Sequence, residues 1–105
     1  MNEYLPDVYT TFRTRYGVVA DDLDHLASTI DGAGPLDDRS RRLVKLGVAI
    51  GRGSEGGVRS SARKALGLGA DADEVRHAAL LAITTAGFPT AMAAMQWIED
   101  VVDGG

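Results

Sequence analysis

The groups with the most chemistry to offer lie together between positions 51 and 61. Gly51-Arg52-Gly53-Ser54-Glu55-Gly56 is followed closely by Arg59, Ser60 and Ser61. Arg52 and Arg59 are cations, Glu55 can carry a proton, and Ser54 and Ser61 offer hydroxyls. A helix that begins inside this segment adds its free N–H groups to the pull on a small anion. The same six residues match the G-x-G-x-x-G dinucleotide fingerprint, with Asp71 20 residues beyond Gly51. That fingerprint works only between a strand and a helix, with a second parallel strand presenting the acid. Here Leu43 to Ile50 continues a helical period that starts from Asp37, and Asp71 stands in a turn before a helix. A nucleotide site is therefore set aside.

Composition excludes further classes. The sequence contains no cysteine, so disulfide frameworks, zinc–thiolate and iron–sulfur sites, thiol nucleophiles and thiol redox cycles all lack their sulfur. His25 and His77 are the only imidazoles, too few for a three-histidine zinc centre within one chain. No metal and no cofactor are expected. His25 falls on the polar side of a helix and reads as solvated. His77 is a candidate catalytic group, with a half-buried structural or subunit-interface place as the competing reading. Serines 54, 60 and 61 have no histidine near them in sequence and form no triad unaided. The net charge of -4 argues against sequence-independent binding of nucleic acid, although a local basic patch stays open. No apolar run approaches the roughly 18 residues of a membrane span. A cytoplasmic location, with neither nucleic acid nor membrane as partner, is expected.

The elements that must position these residues read as helices. The chain has 105 residues, 45% apolar and 25% charged, with 6% aromatics and 13 glycines. This is one domain over 1–105, with small side chains and close backbones in its interior. Pro6-Asp7 opens a first helix with Val8, Phe12 and Tyr16 on one face, which Gly17 ends. A second begins at Asp21-Asp22, with Leu23, Leu26, Ala27 and Ile30 as its stripe. Asp37 caps a third, whose later turns align Leu43, Leu46, Gly47 and Ile50, with Val44 and Val48 beside them. Val58 to Leu66 reads as a short fourth helix. Asp71 or Asp73 caps a fifth that is apolar all round from Ala78 to Ile83, the pattern of a helix buried on most sides. Gly87-Phe88-Pro89 leads into a sixth, along which Ala91, Met95, Ile98 and Val102 share a face and Trp97 lies on another. A chain this short buries a modest share of its surface, so association between copies is expected to complete the core.

Three stretches taken together resemble the carboxymuconolactone decarboxylase family, which includes alkylhydroperoxidase-like proteins. They are Leu36-Asp37-Asp38-Arg39-Ser40-Arg41-Arg42-Leu43-Val44-Lys45-Leu46-Gly47-Val48-Ala49, then Arg63-Lys64-Ala65-Leu66-Gly67-Leu68-Gly69-Ala70 leading to Asp73-Glu74-Val75, and Ala86-Gly87-Phe88-Pro89-Thr90-Ala91. The likeness covers about residues 36–103 and leaves 1–35 as a variable lead-in. It implies an all-α fold of about six helices with a central antiparallel pair, assembled as a homotrimer or homohexamer. In the family's peroxidase branch the segment from Ser54 to Ser61 would carry C-x-x-C followed by a histidine, with a glutamate on the preceding helix. Here Ser54 and Gly57 stand at the thiol positions, Ser61 at the histidine and Arg42 at the glutamate. A serine and a glycine cannot run a disulfide cycle, so cysteine-dependent peroxidase activity is excluded.

The decarboxylase branch also lacks the thiols, and the resemblance therefore leaves open a cofactor-independent lyase or isomerase acting on a small carboxylated compound. Such a reaction needs a cation on the carboxylate and a proton carrier beside the adjacent carbon. Arg52, Ser54 and Arg59 are the candidate substrate-binding residues, and Glu55, Ser61 and His77 the candidate catalytic ones. The alternative is a non-catalytic helical module that binds a small anion or a protein. On that reading Glu55 favours a helix start by its charge, the arginines solvate a face or pair with aspartates, and Gly47 and Gly51 let another helix approach.

Overall fold

The computed structural model describes residues 7–104. Its elements are α1 (Asp7–Arg15), α2 (Gly17–Asp31), α3 (Asp38–Gly51), α4 (Glu55–Gly67), α5 (Ala72–Ala86) and α6 (Phe88–Val102). The described residues contain no strand, so the fold is all-helical, as expected. The chain divides after Pro35 into two compact units.

The first unit holds α1 and α2. Only Tyr16 separates them, at φ -120° and ψ 55°. One backbone bond closes α1 onto it, from Tyr16 N–H to Phe12 (2.8 Å), and another opens α2 from it, from Ala20 N–H to the Tyr16 carbonyl (2.9 Å). Gly17 therefore begins α2, four residues before the start expected at Asp21, because Val18, Val19 and Ala20 are free to take helical dihedrals. Arg13 of α1 ion-pairs with Asp24 of α2. In one straight helix these residues would lie roughly 16 Å apart, so the chain bends sharply at Tyr16. Phe12 and Tyr16 meet as expected, with ring centroids 6.1 Å apart, while Val8 is exposed.

The second unit packs α3 to α6 as two hairpins, α3 with α4 and α5 with α6, which lie side by side through α3–α5 and α4–α6 contacts. The starts of α3 and α5 follow the sequence. Asp37 accepts a bond from Ser40 N–H at 2.8 Å. Asp71 and Glu74 form a capping box, with bonds of 2.8 and 3.0 Å, so Asp71 and not Asp73 is the cap. Gly87 is the sole residue between α5 and α6, at φ 101° and ψ 150°. The core joins Leu46 and Ile50, Val58, Ala62 and Ala65, Val75 and Ala79, and Ala91, Ala94 and Ile98. Alanines supply much of it, which is how helices with so few aromatics come close.

The bundle buries less of each helix than the sequence pattern implies. Val44 and Val48 lie outward from the core side of α3, and Leu80 and Leu81 remain 55% and 60% exposed on α5. A helix in a four-member bundle has neighbours on one side only, so an all-round apolar helix is left half uncovered. Among the described residues no helix is long and apolar enough to cross a membrane.

Candidate functional site

The glycine-rich segment is the joint between α3 and α4. Arg52 ends α3, its N–H bonding to Val48 at 3.0 Å, and Gly53 follows at φ 66°. Ser54 N–H then returns to the Ala49 carbonyl at 3.1 Å. This is a glycine-terminated helix end of the Schellman type, and it accounts for the motif without a nucleotide. Ser54 next becomes the N-cap of α4, its Oγ accepting from Gly57 N–H at 3.1 Å. With that cap, α4 starts at Glu55, three residues earlier than expected, and Gly56 and Gly57 lie inside its first turn.

Glu55 and Arg59 are one helical turn apart, and Arg59 Nε donates to Glu55 Oε2 at 3.0 Å. Arg59 Nη2 donates to Asp100 Oδ2 of α6 at 2.9 Å, and Gln96 Nε2 donates to the other Asp100 oxygen at 3.0 Å. The Arg59 side chain is 19% exposed, against 55% for Glu55. The bond from Arg59, seconded by Gln96, holds the Asp100 carboxyl below its ordinary range, and the same pairing with Asp100 raises the pKa of Arg59. Asp100 and Gln96 escaped the sequence reading because 41 residues separate Asp100 from Arg59; the i, i+4 spacing of Glu55 and Arg59 was the one local signal, and it was not read as a pair.

The remaining candidates lie elsewhere. Ser61, 8% exposed, is buried on α4 two turns beyond Ser54, about 10 Å along the axis. Arg52 is exposed at the end of α3. His77 is exposed rather than half-buried, on the side of α5 away from buried Val75, Ala79 and Ala82. The structure thus gathers Ser54, Glu55 and Arg59, adds Asp100 and Gln96, and does not bring His77 to them within one unit. Among the described residues no cluster of three or more His, Asp or Glu is placed to hold a metal. An open depression of about 300 Å³ lined by Thr10, Thr11, Thr14 and Arg15 belongs to α1, away from these groups in sequence and element.

A Cβ built on Gly57 falls 3.3 Å from Ser54 Cβ, just under the roughly 3.5–4.5 Å that disulfides span. Compared with known proteins, residues 11–100 match the model of the carboxymuconolactone decarboxylase family. No curated protein matches the chain.

Proposed function

The chain belongs to the carboxymuconolactone decarboxylase family, and from that premise we propose that it acts as a non-catalytic helical homo-oligomer, keeping the family scaffold without thiol peroxidase chemistry. One observation carries this reading: the residues best suited to grip and protonate a substrate are already bonded to one another. Arg59, the candidate anion clamp, spends two nitrogens on Glu55 and Asp100, and the Ser54 hydroxyl serves as a helix cap. An arginine engaged in this way ties α4 to α6, and releasing it to a ligand would leave two carboxylates facing each other without their cation.

A second reading, a cofactor-independent lyase or isomerase on a small carboxylated compound, is favoured by the half-exposed Glu55 carboxylate held beside a cation. Thermal shift against a panel of small mono- and dicarboxylates separates the two. The non-catalytic reading expects no specific stabilisation, and no consumption of hydroperoxide with a dithiol donor. Stabilisation by one carboxylate, with turnover, abolished by both Glu55→Gln and Arg59→Ala, would replace it with the enzyme.

A further inference from the structure

Little in the sequence around residue 16 encodes a new helix start. Tyr16 gives α2 no side-chain cap, and the first turn of α2 carries no acid. Gly17 does not take a positive φ, and a Cβ added to it would meet nothing within 4 Å, so the bend does not require glycine. The chain is helical on both sides. One helix running from Asp7 to Asp31 would regain the backbone bonds of Gly17, Val18 and Val19 N–H that the bend interrupts. The bend also covers little apolar surface. Among the described residues of α1 and α2 only Ala20 is buried, while Tyr16, Val18 and Val19 at the bend are 54%, 76% and 49% exposed.

Straightening would break one ion pair. Arg13 Nη1 donates to Asp24 Oδ1 at 3.3 Å, and Nη2 donates to the other oxygen. The Tyr9 ring and hydroxyl lie against Arg13, at 5.6 and 2.9 Å, and Phe12 packs on Tyr16. Those two pairs are each four residues apart, so a straight helix keeps them. Arg13 and Asp24 are 11 residues apart, about three full helical turns. They would share a face of a straight helix without reaching each other, and the bend folds that face onto itself. We infer that Arg13 and Asp24 latch a hinge at Tyr16, which opens to one continuous helix from Asp7 to Asp31 when the pair is broken. The latch is exposed, at 33% for Arg13 and 60% for Asp24, so solvent and competing ions reach it. A weak latch suits two states of similar stability, because a small change in it redistributes them. The closed state is a hairpin and the open state a rod, and the hinge does not depend on whether copies associate.

The sequence has no cysteine, so introduced cysteines can be labelled without background. Spin labels on Thr10→Cys and Ser28→Cys, both at exposed positions, would lie roughly 27 Å apart along one continuous helix and clearly closer in the hairpin. Double electron–electron resonance on the full chain is expected to give the shorter distance when no other residue is changed. Adding Asp24→Asn is expected to shift it to the longer one, with helical circular dichroism retained or raised. The exchange of Arg13→Asp with Asp24→Arg is expected to restore the shorter distance. A short distance that Asp24→Asn leaves in place, or that the exchange fails to restore, overturns the latch. Loss of helix in place of lengthening overturns the hinge, because the open state would then be unfolded chain. The longer distance in the labelled protein before any change to the pair overturns both.

Discussion

Ser54 and Gly57 stand so close that the side chain at one position limits what the other can carry. A Cβ at Gly57 would lie 2.8 Å from Ser54 Oγ and 3.2 Å from Ala49 Cβ, so the serine cap and a side chain at position 57 compete for one space. When both positions carry sulfur the competitor becomes the partner. Ser54→Cys with Gly57→Cys is therefore expected to close a disulfide under mild oxidation, read as loss of both free thiols, and two thiols that stay reactive would show the spacing to be unsuitable. The position of Ser54 was legible in sequence as part of a glycine-rich break. Its role as a cap was not, because the glycines after it read as turn residues, and it takes the Ser54–Gly57 bond to put them in a helix.

Among the elements, α6 ties the second unit together through charge. Asp100 receives Arg59 from α4, and Glu99 receives Arg76 from α5 at 2.7 and 2.9 Å. Both carboxyls are held below their ordinary pKa, chiefly by those arginine bonds. A carboxyl depressed in the folded state stabilises the fold above its unfolded pKa and loses that contribution as pH falls through the folded value. Stability is thus expected to decline below about pH 4, and Asp100→Asn to be less stable at neutral pH with a shallower acid-side decline. An unchanged pH profile in urea unfolding would mean the pair is fully screened. Asp37, whose carboxyl is lowered by its bonds to Ser40, contributes the same sign from a cap. The cap at Asp37 was readable because it is local, and that of α5 was narrowed to Asp71 or Asp73. The Arg59–Asp100 and Arg76–Glu99 bridges were not, since they depend on which helices become neighbours.

At the scale of the whole molecule, the all-helical class and six helices followed from spacing and glycine breaks. The uncovered faces did not, because an apolar stripe states that a residue is to be covered and not by what. Leu80 and Leu81 read as core in sequence, yet a single copy leaves them open. One joint carries a consequence for how the chain reaches this state. Gly87 alone links α5 to α6, in a region of φ and ψ that is essentially glycine's, so this hairpin closes the shortest loop in the second unit and has the least chain entropy to overcome. On that ground the α5–α6 hairpin is expected to close before the α3–α4 one. Gly87→Ala, at a strain of about 1–3 kcal/mol, is expected to slow refolding in stopped-flow far more than it hastens unfolding; the opposite split would place the rate-limiting event at the α3–α4 joint.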